Sequence, residues 1–133
     1  MTAAARRPVR PLGLGAGAVA AAFAVSGVVH LVRPQVFEPI VPRALPRARN
    51  LVLASGVAEL ACAAGLVLPA TRRAAGAASA ALLVAVFPAN VQMAADALRS
   101  AGHDGARTTR AVITVARLPL QWPLVRWAWR AGR

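Results

Sequence analysis

A chain of 133 residues with 58% hydrophobic residues, 15% charged residues and a mean hydropathy of +0.56 carries more apolar matter than one small soluble core can hold. Its formal net charge of +12 comes from sixteen arginines and no lysine. The arginines lie between apolar runs and not along one face, which argues against a nucleic-acid binder and for a membrane protein, whose headgroups accept arginine while its hydrocarbon does not. The only cysteine, Cys62, excludes an intramolecular disulfide, a dithiol motif and a multi-cysteine metal site, and reads as a small apolar residue inside a helix.

In chain order, the first apolar run predicts a spanning helix over about 11–32, flanked by Arg6, Arg7, Arg10 and Arg33. Its basic start and small residues resemble a signal peptide, but its length suits a full span better. The segment 33–50 holds four prolines and four arginines around Val36, Phe37, Ile40, Val41 and Leu45. It cannot be a regular helix throughout, and its apolar residues place it at the membrane interface or over the end of the bundle. A second span is expected over about 51–68, then a tight turn at 70–73. The third, about 74–97, contains Pro88, where a kink is expected. A polar loop at 99–110 carries His103 and Asp104, both read as solvated, and Asp96 near Arg99 reads as a capping or neutralising pair. The fourth span, about 111–129, is the least hydrophobic, interrupted by Arg117, Pro119, Gln121, Pro123 and Arg126. Trp122, Trp127 and Trp129 near its end suit an aromatic belt.

The expected fold is therefore all-α: an integral membrane four-helix bundle, one domain over 1–133, with a Pro-rich interfacial segment between the first two helices. Such a chain is a multi-pass protein of the cell membrane. A slight excess of arginine on the side of the termini leans toward both termini being cytoplasmic. Small residues crowd 13–22, 61–65 and 74–81, allowing close helix packing and leaving a homo-oligomer open.

The polar residues gather in one half of the bilayer. At about 1.5 Å per residue, His30 lies about 3 Å below the face bearing the two longer loops, Ser55, Asn90 and Arg117 about 8–10 Å, and Glu59 and Gln121 about 14–15 Å. Ser26 and His30, Ser55 and Glu59, and Arg117 and Gln121 are each spaced to share a helix face. An intramembrane charge is costly, and a pair offsets much of that cost. We therefore expect Glu59 to pair with Arg117, and His30, Ser55, Asn90 and Gln121 to complete a ligand-binding pocket open toward the looped face. Polar contacts that serve only helix packing are the alternative for each of these residues.

Four stretches in order, SGVVHLVRPQVFEPIVPRALP (26–46), SGVAELACAAGLVLPATRRAAG (55–76), VFPANVQMAAD (86–96) and RLPLQWPLVRWAW (117–129), resemble the DoxX family of small four-helix bacterial membrane proteins. The resemblance implies an accessory role in a membrane redox system, quinone-linked or concerned with oxidative stress, with other membrane or redox proteins as partners. It implies no defined catalytic residues. The chain has no paired-histidine haem pattern, no flavin or nucleotide motif and no metal site, so if electrons pass through it, a bound quinone or a partner protein must carry them. The pocket would then hold a quinone headgroup or another polar-headed lipid. A non-enzymatic membrane scaffold is the second reading, and a small transporter or proton pathway the third.

Overall fold

The apolar runs fold as four α-helices in a computed structural model that describes residues 10–102, 104–131 and 133. These are α1 (Leu14–Val32), α2 (Ala48–Val67), α3 (Arg72–Ser100) and α4 (Gly105–Arg130). The architecture is all-helical, with no strand among the described residues. The arginine pair Arg6–Arg7 and His103 lie outside them.

Several helix ends differ from expectation: α1 opens at Leu14 and not near 11, α2 at Ala48 and not near 51, and α3 and α4 reach further into the loop that joins them. The fourth helix opens at Gly105 and not near Ala111, because Asp104 caps it: its Oδ1 accepts the Arg107 N–H at 2.7 Å, and its carbonyl accepts the Thr108 N–H at 3.2 Å. Asp104 is thus a structural residue and not merely a solvated one. The third helix runs unbroken past Pro88 to Ser100, with Arg99 Nη1 2.5 Å from Asp96 Oδ1 in its last turn.

The segment 33–50 folds into two short 3₁₀ turns, Pro34–Val36 and Glu38–Ile40, each with proline in its first positions, where its missing N–H costs nothing. The chain enters α2 through Arg47, whose φ of 56° is left-handed. Arg49 Nη1, 3.4 Å from Glu38 Oε1, ties the segment to the start of α2.

α1 packs on α2, α2 on α3, α3 on α4, and α4 on α1. The pairings Gly27 with Gly56, Gly65 with Ala75, Gly76 with Ala128 and Gly15 with Trp127 make each helix antiparallel to its neighbours. Val19, Phe23, Leu66, Leu83 and Ala128 form the shared core. Two glycines set the α1–α2 distance: a Cβ on Gly27 would sit 2.8 Å from the Gly56 carbonyl oxygen, and one on Gly56 would sit 2.7 Å from His30 Cβ. Only hydrogen at these positions lets the backbones close to that separation.

The helices α1, α2 and α3 are long and apolar enough to cross a membrane. At most 33% of the residues in each apolar stretch are buried within the chain, so Val25, Val57 and Val84 among others face outward. α4 does not reach the same standard, because Arg107, Arg110, Arg117, Arg126 and Arg130 interrupt it.

Candidate functional site: a cavity beneath the 33–50 segment

At the end of the helices covered by the 33–50 segment, α1, α2 and α3 enclose a cavity of about 530 Å³. Phe37, Ile40, Val41, Pro42 and Leu45 from that segment close one side. Phe23, Val52, Leu82, Leu83, Val86 and Met93 supply much of the apolar wall. Exposed rim residues include Leu51 and Ala54 on α2 and Ala85 and Pro88 on α3, so the cavity opens sideways between those helices. The size is that of a site for a small molecule.

Five polar residues, Ser26, His30, Ser55, Glu59 and Asn90, line this cavity. The Gly27–Gly56 approach brings α1 close enough for His30 Nδ1 to lie 3.4 Å from Glu59 Oε2. The same Nδ1 lies 2.7 Å from the Ser26 carbonyl oxygen, one helical turn back. A carbonyl can only accept, so Nδ1 carries the proton; the tautomer follows from that contact. On its flat side the imidazole stacks against Phe37, with centroids 3.9 Å apart and planes 10° from parallel. His30 is thus oriented from two sides.

Satisfaction of polar atoms here is incomplete. Glu59 is 5% exposed, yet among the described residues its Oε2 accepts no hydrogen bond, and the buried Ser55 Oγ has no partner either. Buried polar atoms are ordinarily bonded, and each exception asks for an explanation. Ser79 Oγ on α3 is also unpaired, but Ser79 lines neither this cavity nor the one beside it.

The expected Glu59–Arg117 pair does not form. Glu59 faces His30, while Arg117 is exposed on α4 and has no ion pair among the described residues. The cause is the order of the helices: α4 lies against α1 and α3, whereas Glu59 projects from α2 into the space between α1, α2 and α3. Arg117 and Gln121 border a second, smaller cavity of about 70 Å³ with Thr114, Asn90 and Met93. Asn90 belongs to both, and its Nδ2 donates to Gln121 Oε1 at 2.9 Å. Gln121 Nε2 in turn donates to the Leu83 carbonyl. That carbonyl lies in the turn of α3 preceding Pro88, where the proline leaves the neighbouring Val84 carbonyl without its usual helical donor.

The structure therefore gathers His30, Ser55, Glu59 and Asn90 around one cavity, attaches Gln121 through Asn90, and leaves Arg117 outside. Sequence reasoning missed the Phe37 stack, because no helical spacing links Phe37 to His30 across Pro34. It also missed the backbone carbonyl of Ser26, which no side-chain pattern reveals.

Together the fold and cavity define an all-helical chain with three helices apolar enough to cross a membrane and a largely apolar site at one end. Residues 19–132 match the family described as Domain of unknown function (DUF8561), and the chain belongs to that family. Comparison with curated proteins and with solved structures gave no match.

Proposed function

We propose that the protein is a DoxX-like integral membrane protein in which all four helices span the bilayer as a four-helix bundle, with the 33–50 segment lying at the interface. In this reading it is an accessory subunit of a membrane redox system, and its cavity holds the headgroup of a quinone or another polar-headed lipid. It resides in the cell membrane with both termini in the cytoplasm. Membrane insertion is supported by the outward-facing valines and leucines of α1, α2 and α3, which water would penalise and lipid accepts. A fourth span in α4 is supported by its packing against α1 and α3.

The observation that carries the ligand reading is the His30–Glu59 pair on the wall of the apolar cavity, with a buried carboxylate oxygen and a buried hydroxyl left unpaired. A ligand with an apolar body and a polar head would fill the volume and bond those atoms. The protein purified from its native membrane in mild detergent should carry a stoichiometric quinone or lipid by mass spectrometry, and folded Glu59→Gln should lose it. Absence of any such ligand from the wild type would overturn the reading.

A second reading, a scaffold for other membrane proteins, is favoured by Arg117. It is exposed midway along α4, and each of the four acidic residues of the chain already faces a basic side chain of its own: Glu38 with Arg49, Glu59 with His30, Asp96 with Arg99 and Asp104 with Arg107. An acidic side chain on a docked membrane protein would give Arg117 the ion-pair partner it lacks among the described residues. Co-purifying proteins that depend on Arg117 and tolerate Glu59→Gln would support this reading.

A further inference from the structure

The hydrogen-bond relays behind the cavity fix which of its polar atoms donate and which accept. Both relays start at a backbone carbonyl. The Ser26 carbonyl takes the proton of His30 Nδ1 at 2.7 Å, so in the neutral ring the other nitrogen, Nε2, is an acceptor. The Leu83 carbonyl takes a Gln121 Nε2–H, which turns Gln121 Oε1 toward Asn90; Asn90 Nδ2 donates to it at 2.9 Å, and Asn90 Oδ1 remains as an acceptor. The Glu59 carboxylate adds acceptor oxygens, one of them buried and unbonded. On the donor side stand the unpaired hydroxyl of Ser55, which can both donate and accept, the O–H of Ser26, whose Oγ lies 3.3 Å from His30 Nδ1, and the second N–H of Asn90 Nδ2. Among the described residues no guanidinium lines the cavity, since Arg117 borders only the smaller one.

A carbonyl headgroup brings acceptors alone: it could bond these donors but would leave Glu59 Oε2 unsatisfied. A hydroxyl headgroup brings both functions, donating to Glu59 or His30 and accepting from Ser55. Leaving a buried acceptor unbonded carries the full desolvation penalty of that group, so a site built in this way discriminates between ligands that differ only in a donor.

Resting on the ligand reading above, we infer that the cavity selects amphiphiles carrying a hydroxyl donor, so that of a quinone couple it binds the dihydroxy, reduced form in preference to the dicarbonyl form. The same chemistry is offered by a non-redox source, the free hydroxyl of a lipid alcohol, and the test separates the two.

The full-length protein in detergent is titrated anaerobically with a decyl-substituted benzoquinone, its hydroquinone and the dimethyl ether of that hydroquinone, and separately with a long-chain monoacylglycerol. The wild type should bind the hydroquinone at least about tenfold more tightly than the quinone, and the dimethyl ether, of like shape but without donors, no better than the quinone. Folded Glu59→Gln should reduce the preference to less than about threefold. Equal or tighter binding of the quinone overturns the inference and leaves the quinone reading standing. Binding of the dimethyl ether as tight as that of the hydroquinone overturns the donor argument without any variant, so the test does not depend on Glu59→Gln folding. Binding of the monoacylglycerol, with neither member of the couple binding, keeps the donor-selective site and overturns its quinone assignment. If none of the four ligands binds, the inference and the reading beneath it both fail.

Discussion

The two ends of the molecule handle a buried ionic side chain in opposite ways. At the end with the short turn between α2 and α3, Arg72 is 9% exposed and has no acidic partner among the described residues, yet its guanidinium is well satisfied. Its Nε donates to the Leu66 carbonyl at 2.9 Å, Nη2 to the Val67 carbonyl at 3.2 Å and Nη1 to the Arg10 carbonyl at 2.8 Å. The positive charge sits at the C-terminus of α2, where orphan carbonyls and the helix dipole favour it, and it pins the chain leading into α1. Beneath the 33–50 segment, Glu59 sits beside His30 with an unbonded oxygen and an open volume in front of it. A charge surrounded by its own backbone is finished as structure. A charge left partly unbonded beside a cavity is arranged for something else.

That contrast can be broken by substitution, most severely at the finished end. Arg72→Ala should destabilise the fold by about 3 kcal/mol or more, because three carbonyls lose their donor together, and thermal unfolding in detergent would register it. Arg72→Lys should recover only part of that stability, since one ammonium cannot reproduce the planar fork. Next in size, Gly56→Leu should cost about 2–3 kcal/mol by forcing α1 and α2 apart, and it should abolish ligand retention as well. Gln121→Leu removes the donor to Leu83 and the acceptor for Asn90, for an expected loss of about 1–2 kcal/mol in the same assay.

At the open end the expectation reverses. Glu59→Gln should leave thermal stability within about 1 kcal/mol of wild type, because replacing an incompletely bonded buried charge by a neutral group of the same shape is close to neutral. Its effect should fall on ligand retention. Arg117→Ala should change stability by no more than about 0.5 kcal/mol and leave any cavity ligand in place. Loss of ligand in Arg117→Ala would mean that the smaller cavity belongs to the binding site.

How far these features could be read from the chain follows from what spacing encodes. Phase and depth along a helix are functions of residue number, so the shared faces of Ser26 with His30 and Ser55 with Glu59, and the convergence of both on Asn90, were accessible. Which helices are neighbours is not such a function. Glu59 and Arg117 agree in phase and roughly in depth, but α4 packs on α1 and α3, and the edge of the buried surface falls between Arg117 and Gln121. The segment 33–50 was recognisable as irregular from its prolines, and its apolar residues as covering the end of the helices. The stack of Phe37 on His30 required the two 3₁₀ turns, whose geometry no periodicity announces. Arg72 was hidden for a related reason: a tight turn with two arginines looks like a solvated connection, and only the folded chain brings the Arg10 carbonyl to it. The extra length at the start of α4 is signalled by Asp104 immediately before a helical run, a capping pattern that reading 99–110 as one polar loop leaves out of account.

The central claim is that the cavity beneath the 33–50 segment, and not the outer apolar surface, holds an amphiphile. Photolabelling with a diazirine-bearing alkylphenol in native membranes, followed by peptide mapping, tests it most directly. The account predicts labels on lining residues such as Phe23, Val52 and Met93, suppressed by excess unlabelled alkylphenol and lost in Glu59→Gln. Labels spread over outward-facing positions such as Val25, Val84 and Trp122, insensitive to competitor and to Glu59→Gln, would contradict it.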